Sequence, residues 1–438
     1  MSEPRPRPGA WSAGDAERWL LGLELFGMRF GLDRMRRLMT ALGAPNEAFR
    51  AIHVVGTNGK SSTVRMIEAL LTHHGCRTGA YLSPHLVSFA ERILIGGAQI
   101  SDEQLAVALQ RARRAAQIVN RTVEPGDRVT QFEALTAAAY AQLAEAQVDI
   151  AVVEAGLGGR WDATNVLAAD IAVLTNVGLE HTRWLGPTVK DIAREKLAIL
   201  APGAKLVLGA GLHPDAEAEA QLVAERQGAS IVRAPAQPDW IPADFELLAR
   251  GDFQRRNFAV ACAAAEALLG TLDADAVRAA AASTLVPGRF EIVQAPDGSG
   301  EVVLDGAHNP SGMAALAETL RGFLAGRPLV AVLSVLDDKD AATMLGELLP
   351  LCAGAVFTTN ANPRALSPAT LVSLAGQLGM GAEHQITCVE PDPHRALAVA
   401  RELAGEQGVV LATGSIYLIA DLARAPGSGP GSGPGSML

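Results

Sequence analysis

The chain has little cysteine, and what it has is scattered: Cys76, Cys262, Cys352 and Cys388 form no CxxC pair. That spacing argues against a disulfide framework or a zinc site and fits reduced thiols in a cytoplasmic chain. Aromatic residues make up only 4% of the sequence, so the core has to be built largely from Val, Leu, Ile and Ala. Basic residues are in deficit, 37 against 47 acidic, for a formal net charge of −10. General affinity for nucleic acid, which rests on clustered Lys and Arg, is therefore not expected. Any anionic substrate must be held by a few local cations. No apolar run reaches the ~18 residues of a membrane span, and the N-terminal MSEPRPRPGA lacks the apolar region of a signal peptide. The expectations are a cytoplasmic location, no membrane and no nucleic acid.

What is present is length and pattern. The chain has 438 residues, beyond the roughly 250–300 at which one core stops growing, so two domains are expected. Residues 1–10 read as a disordered arm, and the GSGP repeat within 425–438 as a flexible tail. Between them, AIHVV (51–55), DIAVVEAG (149–156), DIAVLTNVG (170–178) and AKLVLGAG (204–211) are short continuous apolar runs. Such runs suit strands of a parallel sheet covered on both faces. EVVLDGA (301–307), PLVAVLSV (328–335), AGAVFTTN (353–360) and GVVLATGS (408–415) form a second series. Helical stretches separate the runs in both, so the fold class is α/β. The expected architecture is a mostly parallel N-terminal sheet domain over 11–288 and a smaller Rossmann-like domain over 289–424, with a cleft between them. Pro287 to Gly300, rich in Pro and Gly, marks the boundary.

After AIHVV comes Gly56-Thr57-Asn58-Gly59-Lys60-Ser61-Ser62 and then a helical stretch closed by Gly75. Strand, glycine-rich loop and helix is the setting of a phosphate-binding loop. The glycines let backbone N–H groups turn toward phosphate oxygens, and the helix N-terminus adds partial positive charge. Lys60 would reach the terminal phosphates, and a hydroxyl of Ser61 or Ser62 would touch Mg²⁺. The strict GxxxxGK[ST] pattern fails, because Val54 stands where its first glycine would be. The N-terminal domain thus reads as a P-loop-type ATPase domain, with the reaction still open.

Further segments carry a resemblance. They are HVVGTNGKSS (53–62), SPHL (83–86), VEAGLGGRWDATNV (153–166), TNVGLEHT (175–182), IAREK (192–196), PGRF (287–290), DGAHNP (305–310) and ATGSIY (412–417). Together these resemble the folylpolyglutamate synthase/dihydrofolate synthase family of the Mur-ligase superfamily, over about residues 16–424. GTNGK alone indicates the superfamily; DGAHNP, SPHL and GLDRM (31–35) favour the folate branch.

The resemblance implies an ATP- and Mg²⁺-dependent amide ligase of folate biosynthesis and one-carbon metabolism. Such an enzyme phosphorylates a carboxylate and lets the amine of L-glutamate displace phosphate. Its acceptor would be a folate or dihydropteroate, and a monomer is expected. By resemblance, Thr57, Asn58, Gly59, Lys60, Ser61, Ser62, Asn257, Arg289 and Asp305 bind nucleotide. Ser61, Ser83, Glu154, His181 and Lys196 hold Mg²⁺, with Lys196 carrying a carbamate. Lys60, Lys196 and His308 are the catalytic candidates.

Each residue also has a plainer reading. Glu154 follows an apolar strand and suits a solvated strand-end carboxylate, His181 a structural hydrogen-bonding group, and Lys196 an exposed helix charge beside Glu195. His85 is a weaker neighbour of Ser83. Thr130 to Glu133 fits a capping box, and Gln131 stands where the family often has an aromatic. Gln254 and Arg256 read equally as helix-surface residues. Asn309-Pro310 makes a good N-cap and first helical position, but capping explains neither Asp305 nor His308. Lys339, Asp340 and Arg364 are weaker candidates of the same kind. His73 and His74 read as helix C-terminal residues favoured by the dipole, and Trp19 and Leu20 as core. The competing functions are another amino-acid ligase of the superfamily, a P-loop phosphotransferase and a non-enzymatic nucleotide-binding regulator. Only about fifty residues precede the loop, which leans against an added UDP-sugar domain.

Overall fold

A computed structural model describes residues 11–24, 31–124, 126–236, 246–294, 300–379 and 386–424. The predicted arm 1–10 and tail 425–438 lie outside the described residues. The chain packs as two compact units: one of 1–84, 89–246 and 256–284, the other of 85–88, 247–255 and 285–438.

The first unit holds strands β1 (Arg50–Val55), β2 (Thr78–Tyr81), β3 (Ile93–Ile95), β4 (Ala98–Gln99), β5 (Ile150–Glu154), β6 (Ile171–Leu174), β7 (Lys205–Leu208) and β8 (Ser230–Arg233). They make one sheet in the order β4-β3-β2-β5-β1-β6-β7-β8. β1 lies parallel to both β5 and β6, with Val54 opposite Glu154 and Val55 opposite Leu174. The loop after β1 therefore emerges between the loops after β5 and β6. β5 and β6 are buried at every position, as a covered parallel sheet requires. Helices Asp102–Val119 and Gln131–Glu145 pack with Tyr81, Ala151 and Val153. Helices Val189–Leu197 and Pro214–Gln227 pack with Val55, Leu174 and Leu208.

Local chemistry sets the helix ends. Thr130 and Glu133 form the predicted capping box reciprocally, a device worth about 1 kcal/mol. Glu133 has a second task, because it is buried against Arg34, whose Nε lies 3.0 Å from Oε1. His74 is the C-cap of helix Lys60–His73. Its Nδ1 donates to the Leu70 carbonyl at 2.6 Å, and its Nε2 accepts the Asp273 N–H at 2.9 Å. Leu20 is fully buried, and Trp19 packs part-buried against the same core.

The second unit holds β9 (Glu291–Gln294), β10 (Glu301–Leu304), β11 (Leu329–Leu333), β12 (Gly354–Phe357), β13 (Ile386–Val389) and β14 (Val409–Thr413). Their order is β13-β12-β11-β14-β10-β9. All pair in parallel except β9, which runs antiparallel to β10. Helices Pro310–Leu324 and Ala341–Leu348 pack with one core cluster and Pro393–Ala404 with another, so two layers flank the sheet. The stretch 287–300, read from its Pro and Gly as a boundary, contains strand β9. No helix among the described residues is long and apolar enough to cross a membrane.

Candidate active site

The loop after β1 turns into helix Lys60–His73 at Gly59, whose φ of +79° lies in the left-handed region. Gly59 also has no room for a side chain, because a Cβ there would strike Asn257 Oδ1. The structure thus sets Asn257, 8% exposed on helix Asp252–Leu269, directly against the loop. The loop is pinned from its other side by the segment after β6. Thr57 N donates to Asn176 O at 3.0 Å, and Asn58 N to Asn176 Oδ1 at 2.9 Å. Gly178 N donates to Thr57 Oγ1 at 2.9 Å, and Thr175 Oγ1 to Asn58 O at 2.7 Å.

Lys60 folds over this loop, its Nζ 3.0 Å from Gly56 O and 3.1 Å from Thr57 O. One residue on, Ser61 Oγ donates to Glu154 Oε1 at 3.0 Å, and Ser83 N donates to Glu154 Oε2 at 3.1 Å. Glu154 ends β5 and is 1% exposed. Three of the sequence candidates, Ser61, Ser83 and Glu154, therefore meet at one carboxylate. Ser62 is buried at 2% exposure.

Lys196 corrects the plain helix-charge reading: it is 5% exposed, and its Nζ donates to Gly56 O at 2.8 Å. Burial first, and the Lys60 charge next, push its ammonium down to about 7. Near neutrality the amine is thus substantially unprotonated, the form that can react with CO₂. Gly159 explains how the helix bearing Lys196 comes so close. A Cβ at Gly159 would sit 2.5 Å from the Lys196 carbonyl oxygen, and Arg160 N donates to Glu195 O at 3.0 Å.

His181 is the exposed N-cap residue of helix Thr182–Leu185, with φ of +53° and Nε2 3.8 Å from Glu180. Among the described residues no three His, Cys, Asp or Glu side chains are grouped to hold a metal ion. Mg²⁺ fits the donors present all the same, because it takes one or two carboxylates and completes its shell with phosphate oxygens and water. Glu154 with the Ser61 hydroxyl supplies that kind of set.

In the second unit, Asp305 follows β10 at 3% exposure. It accepts the N–H of Phe290 and of Ala307, both at 2.8 Å. Burial raises its pKa, and the Arg289 guanidinium and those N–H groups oppose the rise. Gly306 leaves space for Arg289, whose Nη1 a Cβ would strike. His308 Nδ1 lies 2.8 Å from Gly306 O; a carbonyl only accepts, so Nδ1 carries the proton. Asn309 accepts Gly312 N at 2.8 Å as the N-cap of helix Pro310–Leu324. Gln254 is fully buried, not a helix-surface residue, whereas Arg256 is exposed. Arg364 pairs with Asp338 at 3.2 Å, and Asp340 caps helix Ala341–Leu348. His85 falls in the second unit and Ser83 in the first.

Sequence reading passed over Asp162, Thr164, Thr175 and Asn176. All four lie inside stretches quoted above, in WDATN and TNVG. Their side chains bond to neighbouring turns, which only the fold reveals.

Known protein families match two stretches of the chain. The Mur ligase middle domain matches residues 54–210, and the Mur ligase, glutamate ligase domain matches 288–416. The dihydrofolate synthase/folylpolyglutamate synthase of Mycobacterium tuberculosis is 37% identical, over 79% of this chain and 77% of that protein. The Bacillus subtilis protein of the same name is 34% identical, over 94% and 98%. Mycobacterium tuberculosis folylpolyglutamate synthase complexed with ADP superposes with a TM-score of 0.86 at 34% identity, covering 95% of this chain and 99% of that one. A Yersinia pestis bifunctional enzyme complexed with AMPPNP and Mn ion gives 0.80 at 28% identity, over 96% and 98%.

Proposed function

We infer the function from one premise: the chain belongs to the dihydrofolate synthase/folylpolyglutamate synthase family of the Mur-ligase superfamily. It is an ATP-dependent ligase that adds L-glutamate to a folate-type acceptor. The acceptors we propose are dihydropteroate and a reduced folate, handled in the cytoplasm by a monomer. The observation that carries the assignment of chemistry to residues is the meeting of Ser61, Ser83 and Glu154 beside the loop bearing Lys60.

The reaction has two displacements. The acceptor carboxylate attacks the γ-phosphorus of ATP and ADP leaves; the glutamate amine then attacks the acyl carbon and phosphate leaves. Charge accumulates on the transferring phosphoryl oxygens, so catalysis here is largely positioning and electrostatics. Loop N–H groups from Thr57 to Ser61 and the Lys60 ammonium would hold the phosphates, with Asn257 lining the loop. Ser61, Ser83, Glu154, His181 and Lys196 would hold Mg²⁺, which neutralises phosphate charge when bound. A carbamate on Lys196 would turn a buried cation into an oxygen donor. Arg289, Asp305 and His308 are assigned to nucleotide and substrate in the second unit.

Phosphate release with mass analysis of products tests this, with dihydropteroate or tetrahydrofolate offered with and without L-glutamate. Glutamate-dependent mass gain on both acceptors establishes two activities, and gain on one names it. No such gain on either overturns the folate acceptor.

A further inference from the structure

His53 is an ionisable residue in the middle of a buried strand. It is fully buried between Ile52 and Val54, and burial pushes its imidazole down to about 3, so it is neutral. Its Nε2 lies 2.8 Å from Thr164 Oγ1, which donates to Asp162 Oδ1 at 2.5 Å. Asp162 also accepts Thr164 N at 3.0 Å on Oδ1 and Leu157 N at 2.8 Å on Oδ2. Thr164 has one hydroxyl hydrogen, and Asp162 takes it. His53 must then donate from Nε2, leaving Nδ1 as a bare acceptor, and Nδ1 has no partner. The reverse polarity would bury an N–H donor there instead, the rarer and costlier defect. The polarity from His53 through Thr164 to Asp162 is thereby fixed.

The far end of this relay is the glycine-rich turn after β5. Asp162 holds its start at Leu157, three residues beyond Glu154, the partner of Ser61. Farther along the same turn, Gly159 packs on the Lys196 carbonyl, and Arg160 bonds Glu195 through both backbone N and side-chain Nε. We propose that His53 is a positioning residue for the ligase reaction: through Thr164 and Asp162 it sets the 156–160 turn, and so the placement of Glu154 and Lys196 beside the nucleotide loop. The inference rests on the function proposed above for those two residues.

The test uses the full chain with Thr164→Val, which removes the hydroxyl and keeps the shape, and with His53→Gln and His53→Leu. Calorimetry measures the Mg²⁺ dependence of ADP binding, thermal unfolding measures stability, and glutamate-dependent phosphate release measures turnover. Direct partners of a metal ligand typically change affinity or activity by roughly 10–100-fold, and the relay stands farther back, so the low end of that range applies. The expected result for Thr164→Val is a rise of about tenfold in the Mg²⁺ needed for ADP binding and a similar fall in kcat, with acceptor KM unchanged. His53→Gln, which keeps a donor, should stay closer to wild type than His53→Leu. A lowered Tm with unaltered Mg²⁺ dependence and kcat in Thr164→Val and His53→Leu would make the relay a stability device only and overturn the proposal. If Thr164→Val does not fold, the Gln-against-Leu comparison decides on the same readouts. Wild-type protein that binds Mg²⁺-ADP but shows no glutamate-dependent turnover removes the acceptor assignment, while the binding arm still decides the role of His53.

Discussion

Lys60 and Lys196 donate to one acceptor, the Gly56 carbonyl oxygen, from 3.0 and 2.8 Å. Burial first, and then the repulsion between two cations on one oxygen, depresses Lys196 to about 7. The unfolded chain, where lysine titrates at its ordinary 10.5, binds a proton that the folded chain lacks between about 7 and 10.5. Stability from this group therefore rises with pH across that window, and its full cost is felt below it. Lys196→Met should unfold at a higher temperature than wild type at pH 6. The gap should close as pH rises from 7 to 10.5, and turnover should be lost throughout. Thermal unfolding across pH, with phosphate release in parallel, checks both halves.

Gly59→Ala strains the loop twice. A left-handed alanine costs about 1–2 kcal/mol, and its methyl strikes Asn257 Oδ1. The expected outcome is a folded protein with ADP affinity weakened tenfold or more, roughly what such strain is worth by itself. Calorimetric titration with ADP measures it; unchanged affinity would remove the loop from nucleotide binding.

Glu154→Gln keeps the shape and the Ser61 hydrogen bond but discards the charge. Turnover should fall on the order of 100-fold, the scale of losing one preorganised electrostatic group. Nucleotide should still bind without Mg²⁺, and the gain in affinity that Mg²⁺ brings should shrink. A variant whose Mg²⁺ response matches wild type places the cation elsewhere.

Arg34 and Glu133 form a buried ion pair, with side chains 6% and 8% exposed. Arg34→Met strands the carboxylate, and stability should drop by about 3–5 kcal/mol, since an unpaired buried charge is the costly case. Arg34→Met with Glu133→Gln should recover most of that loss, because Gln is neutral and still closes the capping box with Thr130. Urea unfolding of the single and double variants decides.

The sheets were legible where strands are covered on both sides. β1 apart from Arg50, β5, β6 and β7, and β10, β11, β12 and β14, fall inside apolar runs visible in the sequence. β4, β8, β9 and β13 escaped because they sit at sheet edges with residues half-exposed or exposed, and β3 because it is only three residues long. Short edge strands without an apolar run look like loops. β9 hid in a Pro- and Gly-rich stretch, and β13 split what had looked like a single helical connection between β12 and β14. At the site, the loop and Glu154 announced themselves by motif and strand-end position. Burial did not: Gln254 had a helix-surface reading, and for Lys196 the residues alone offered only a helix charge, the family resemblance supplying its place at the site. The relay from His53 was invisible because its members are 111 residues apart.

Thr57 and Asn58 hold Asn176 and Gly178, and the 156–160 turn holds Glu195. Ser61 and His53 join the 154–165 stretch to the same region, so four stretches distant in sequence shape one another. A chimera that imports the segment after β6 from a relative without the loop would leave Asn58 N facing a side chain of another length wherever Asn176 is replaced. Transplants in this family should succeed when 53–61, 154–165, 175–178 and 195–196 travel together, even at low identity elsewhere. Shuffling them singly should yield folded proteins with a misshapen phosphate cradle.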